Sequence, residues 1–83
     1  MKQKGNNMLS KLTNQEKKVY DLLITALSIK QIAKKINVSV ATINTQRSSI
    51  YEKLGYNDRN ELIINYYQAE LQKVKQFILD KGL

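Results

Sequence analysis

Residues 28–55 read SIKQIAKKINVSVATINTQRSSIYEKLG, and this stretch decides the fold. It opens on a capping box, Ser28 with Gln31 three residues on, in which each side chain can satisfy the other residue's amide. Ile29, Ile32, Ala33 and Ile36 then recur on one narrow apolar face, which predicts a short helix over about 29–36. Asn37-Val38-Ser39 makes a tight turn, and Ser39 is well placed to cap a further helix. That helix runs over about 40–54, buries Ile43, Ile50 and Leu54, and stops at Gly55, a typical left-handed terminator. Helices of about 8 and 15 residues joined by three turn residues have helix-turn-helix spacing.

Outward from this pair the pattern stays helical. Thr13 and Glu16 form a second capping box. Val19, Leu22, Leu23 and Ala26 follow at helical spacing, for a first helix over roughly 14–25. Asn57 or Asp58, with Glu61 behind it, opens a fourth helix with no stop signal before Lys81-Gly82; over about 59–79 it would be roughly 31 Å long. Residues 1–11 are polar, basic and aperiodic, and read as a flexible arm. Proline is absent and glycine occurs only at Gly5, Gly55 and Gly82, so the expected class is all-α.

A chain of 83 residues makes one small domain that buries only about 60% of its unfolded surface. Cysteine and histidine are both absent. Their absence removes disulfides, thiolate metal sites, cysteine nucleophiles and the usual neutral-pH proton shuttle. With no glycine-rich phosphate loop either, the sequence points away from an enzyme, and no cofactor or metal is expected. Stapling is left to packing or oligomerisation. No apolar run is long enough to span a membrane, and the N-terminus lacks the apolar core of a secretory signal. A cytoplasmic, nucleoid-associated protein is expected.

The net charge of +7 is unevenly placed. Residues 1–50 carry nine Lys/Arg against Glu16 and Asp21, whereas residues 51–83 carry five of each sign. Such an electropositive half attracts polyanions. Twelve lysines with eight Asn and nine Ile also suit a lysine-rich solubilising surface and AT-rich codon usage.

The third helix sharpens the choice. At 100° per residue with Ile43 at zero, Ile50 falls near about 340° and Leu54 near about 20°, which fixes the inward direction. Ala41, Thr45, Ser48 and Glu52 lie opposite, with Asn44 and Ser49 on the shoulders, while Gln46 and Arg47 flank the buried stripe. A solvated face is normally built from Glu and Lys, which are better helix formers than Ser, Thr or Asn. Short amide and hydroxyl side chains suit a helix that sits deep in a major groove and exchanges hydrogen bonds with base edges. Around it, Lys30, Gln31 and Lys34 lie on the outer face of the second helix. Ser39 and Thr42 stand beside free amides at the start of the third, a setting that favours an anion, and Lys53 lies at its far end.

These residues, taken together, resemble a known family. Leu12-Thr13, Glu16, Val19 and Leu22-Leu23; Ser28 to Ala33; Val38-Ser39 and Thr42-Ile43; Ile50 to Gly55; and Asp58 to Leu62 are similar, in order and spacing, to the LuxR/FixJ/GerE DNA-binding domain over about residues 11–67. The resemblance implies a four-helix, LuxR-type helix-turn-helix domain over 12–67 that binds double-stranded DNA through its third helix and dimerises through its fourth. It implies base contacts at Asn44, Thr45 and Ser48, and backbone contacts near Lys30, Gln31, Ser39, Thr42 and Gln46, to which the clustering of cations around the third helix adds Lys34 and Lys53 as expected backbone contacts. Members often carry lysine at the position of Asn44 and histidine at that of Gln46, so base preference does not carry over. The glycine that usually ends the first helix is Ala26 here, which forgoes an easy left-handed stop at about 1 kcal/mol. Eleven residues are too few for a receiver or ligand-binding domain, so a stand-alone, GerE-like member is expected. RNA polymerase is a further candidate partner.

Past residue 67 the family pattern ends and the helix signal does not. Ile64, Tyr67, Leu71, Val74 and Ile78 are spaced 3, 4, 3, 4, a heptad seam. Phe77 and Leu79 add apolar surface. Residues 68–83 therefore read as an extension of helix four that pairs with a second copy, the alternative being a tail folded back on its own core. Two other functions remain open: a promoter-recognition module like region four of a sigma factor, which has a similar Ile-Ala, Ser, Thr-Ile core, and an adaptor that uses the long helix to bind another protein.

Overall fold

The computed structural model describes residues 9–80. It contains four helices: α1 (Asn14–Leu23), α2 (Ile29–Lys35), α3 (Val40–Leu54) and α4 (Arg59–Asp80). Among the described residues every regular element is helical, the all-α class expected. The expected arm at residues 1–8 and the stop at Lys81-Gly82 lie outside the described residues. Residues 9–11 join the body instead of the arm: Leu9 packs on the core, and its carbonyl accepts from the Leu12 amide at 3.1 Å.

Side chains start the helices where the sequence signals them. Thr13 Oγ1 accepts from the Glu16 amide (3.1 Å) while Glu16 Oε1 accepts from the Thr13 amide (2.9 Å). Ser28 and Gln31 repeat the exchange at 3.1 and 2.8 Å, and Ser39 Oγ caps α3 by accepting from the Thr42 amide. For α4, Asp58 Oδ1 accepts from the Glu61 amide, and the Glu61 carboxylate reaches one residue further back, to the Asn57 amide. Each bond satisfies a donor that the first helical turn leaves without a partner.

Two helices end by the same device. After α2, Asn37 adopts φ +61°, so the Val38 amide returns to the Ala33 carbonyl and the Asn37 amide to that of Lys34. After α3, Gly55 (φ +78°) sends the Tyr56 amide to Tyr51 O and its own to Glu52 O. Both are the paired bonds of a Schellman turn, and asparagine is one of the few side chains that tolerates that backbone. The first of these turns sets the angle between the two helices of the motif.

The end of α1 departs from expectation. The helix stops at Leu23, and Ile24 follows at φ −85° without a left-handed residue. Ala26, expected on the buried face, is exposed in the link. No residue of the link takes the left-handed conformation that the missing glycine would have eased, and Arg59 binds this end from across the domain. Its Nε donates to Leu23 O (2.8 Å), and its Nη2 to Thr25 O (2.9 Å) and Leu27 O (2.6 Å).

The core lies where the helices meet: Leu12, Val19, Leu23, Ile32, Ala33, Ile43, Ile50, Tyr51, Leu54 and Leu62 are buried. The inward direction expected for the third helix, through Ile43, Ile50 and Leu54, is the one observed. Within α4 only Leu62 is fully buried, and residues 71–80 are exposed throughout. Its 22 residues reach roughly 33 Å at 1.5 Å per residue, which accounts for the elongated 49 × 25 × 21 Å envelope.

Candidate nucleic-acid interface

The packing of α3 leaves one side of it open. Ala41, Asn44, Thr45, Ser48 and Glu52 are exposed along α3 while Ile43, Ile50, Tyr51 and Leu54 face inward. The expected base-contacting residues thus share one uncovered face. Ala41, Thr42, Thr45 and Gln46 line a shallow depression in it. Gln46 is half-buried, with Oε1 enclosed and lacking a protein partner.

Asn44 is already oriented. Arg47 Nε donates to Asn44 Oδ1 at 3.0 Å, so the amide NH2 points away from that contact and stays available as a donor. Sequence reasoning placed Arg47 only as a flank of the buried stripe. Its spacing of three from Asn44 on one helix was the signal that the two could meet.

At the N-terminus of α3, Ser39 Oγ and Thr42 Oγ1 lie 2.9 Å apart, while Ser39 Oγ also accepts from the Thr42 amide (3.0 Å). Either hydroxyl can donate in this contact, and whichever one accepts keeps its own proton for an outside acceptor. The first-turn amides of α3 and its dipole point the same way, toward an anion. On α2, Lys30, Gln31 and Lys34 are exposed. Gln31 Oε1 is held by the Ser28 amide, which leaves its NH2 as a donor.

Lys53 has a different position. Its Nζ donates to Glu16 Oε1 at 2.7 Å, so this cation is engaged within the protein and joins the end of α3 to the start of α1. Ser49 Oγ donates to Glu16 Oε2 at 2.8 Å. Glu16 is only 7% exposed. The Lys53 bond outweighs the opposing effect of burial, and with the Thr13 amide and Ser49 it lowers the Glu16 pKa from 4.5 to about 2. Nothing local in the sequence indicated this pairing, which spans 37 residues.

The expected seam on α4 is exposed: Ile64 53%, Tyr67 54%, Leu71 54%, Val74 53% and Ile78 39%, with Phe77 and Leu79 beside it. Tyr67 reaches back to the body, its hydroxyl donating to Ile24 O at 3.2 Å. The tail does not fold over its own core.

A family model described as bacterial regulatory proteins, luxR family, matches residues 10–66. The chain is 30% identical over 64 residues to the spore germination protein GerE of Bacillus subtilis (strain 168), covering 77% of this chain and 86% of that protein. It is also 32% identical over 62 residues to the transcriptional regulatory protein TdiR of Thauera aromatica, covering 75% of this chain but 27% of the longer relative. The matched span runs from just before the first capping box into the body-facing start of α4, and the projecting part of that helix lies beyond it. The chain belongs to the luxR family of bacterial regulatory proteins.

Proposed function

We propose that the chain is a transcription regulator that binds double-stranded DNA as a homodimer, laying α3 into the major groove. The observation that carries this reading is the uncovered face of α3, where Asn44, Thr45 and Ser48 are exposed on a helix otherwise packed against its own core. Short side chains let the helix approach base edges. Asn44 offers an amide donor, Ser48 and Thr45 hydroxyls, and Ala41 and the Thr45 methyl an apolar surface for thymine methyls. Lys30, Gln31, Lys34, Ser39 and Thr42 serve the phosphates alongside, fixing register without reading sequence. Gln46, half-buried beside them, contributes to the backbone through its outer amide. Lys53 supports the interface by holding α3 to Glu16.

Selection of bound duplexes from a random pool, followed by binding titrations at several salt concentrations, tests the reading. A falling log K against log salt with a slope of several units is expected from the phosphate contacts. Asn44→Ala should lose about 1–3 kcal/mol of discrimination at one base pair, whereas Lys30→Ala should weaken all sequences alike. Equal, sequence-blind effects from both substitutions would remove α3 as the reading helix. Duplex DNA binding no better than another polyanion would favour the adaptor role instead.

A further inference from the structure

The exposed seam of α4 has a pattern of charge as well as of apolar residues. Writing Ile64, Leu71 and Ile78 as the a positions of a heptad and Tyr67 and Val74 as d, the flanking g positions are Ile63, Glu70 and Phe77, and the e positions are Glu61, Gln68 and Lys75. In a parallel, in-register pair of helices, a g residue faces the e residue five positions further along the other helix. Glu70 then meets Lys75 of the partner subunit, twice by symmetry. In an antiparallel pair like flanks meet, g against g, and the g flank holds no cation for Glu70. Within its own chain Glu70 pairs with Lys73 at 3.2 Å, an exposed contact between side chains 43% and 73% accessible, and such pairs contribute little that would oppose exchange.

We infer that residues 64–78 of two copies pair as a short parallel coiled coil whose register is set by Glu70 and Lys75 of the partner subunit. The inference rests on the homodimer reading and adds its direction and alignment. Two further observations support it. Residues 71–80 are exposed all round, and a lone helical segment of that length is marginal in water without a packed face. Ile64 and Ile78 also place β-branched residues at a, where two-stranded parallel pairs favour them. Parallel pairing keeps both bodies at the same end of the rod, so that two α3 helices can address one face of a duplex. An antiparallel rod would carry them to opposite ends.

The absence of cysteine from the sequence makes a direct test possible with the full chain. Ile64→Cys and Val74→Cys replace exposed residues at an a and a d position, which face each other in an antiparallel pair and lie about 15 Å apart along α4 at 1.5 Å per residue. Oxidation should link each variant to its own kind, because a parallel, in-register pair brings like a and like d residues within disulfide range. Sedimentation equilibrium of Glu70→Lys and Lys75→Glu should each show dimerisation weakened roughly five-fold or more, with recovery in the double variant. Cross-linking only in a mixture of the two cysteine variants would overturn the parallel register and leave the homodimer standing. A wild-type chain that sediments as a monomer at submillimolar concentration would overturn both. A dimer that gives neither cross-link, and ignores the charge changes, would place the interface elsewhere and overturn the inference.

Discussion

Glu16 closes the cap of α1 and also receives Ser49 and Lys53 from the far half of α3, so one carboxylate fixes how α3 lies on the body. Its folded pKa, about 2, is below the reference value of 4.5. The stabilisation it provides is therefore fully present above about pH 4.5 and is lost as the pH falls toward 2. Urea titrations of the wild type and Glu16→Gln across that range should show the variant less stable by about 1–3 kcal/mol at neutral pH. The gap should close as the wild-type carboxylate protonates. A constant gap from pH 7 to pH 2 would mean that the charge on Glu16 contributes nothing and only its shape matters. The capping half of this role is visible in sequence, since Thr13 and Glu16 are three residues apart. The half that positions α3 is not, because no local rule connects residues 33 and 37 positions away, and Lys53 taken by itself is one surface lysine among many.

The same division holds for whole elements. Helices whose boundaries are set by their own side chains were legible. Ser39 and Gly55 bracket α3 as expected, and the exposed Asn44, Thr45 and Ser48 follow from helical geometry once Ile43, Ile50 and Leu54 mark the inside. The end of α1 was not legible, because it is closed by Arg59, 36 residues beyond Leu23. One guanidinium on three carbonyls ties the α1–α2 link to the start of α4, and with it the motif to the rod. Arg59→Ala should lower stability by about 2 kcal/mol, seen as a lower urea midpoint at unchanged slope. Arg59→Lys should recover little, since an ammonium lacks the planar fork that serves several acceptors at once. If lysine restored the midpoint in full, the site would need only a positive charge near the α1 C-terminus, and the three bonds would be incidental.

Seen whole, the molecule separates its two kinds of surface. Cations and small polar groups gather on α2 and α3. The groove between α1 and α4 is instead lined by Tyr20, Tyr56 and Tyr66 with Asp21, Glu70, Asp80 and Lys73, a surface with more carboxylates than cations. The projecting half of α4 carries balanced charge and an apolar seam. This arrangement suits a rigid pair of readers better than two tethered ones. The molecule's minor extents, 25 × 21 Å, are smaller than one turn of duplex, so two copies can stand side by side, and two-fold partners place their reading helices roughly 34–36 Å apart, one turn of DNA. The operator recovered by selection should therefore be a dyad with half-sites about 10 base pairs apart centre to centre. Inserting about 5 base pairs between the half-sites turns one of them to the opposite side of the duplex, and the second body can no longer engage. Affinity should fall roughly a hundredfold, toward that of a single half-site, as the advantage of linked binding is lost. Gel-shift titration of the spaced operators measures this directly. Undiminished binding to the 5-base-pair insertion would mean that the two bodies are flexibly joined, and a stiff α4 pair could not then be what sets their separation.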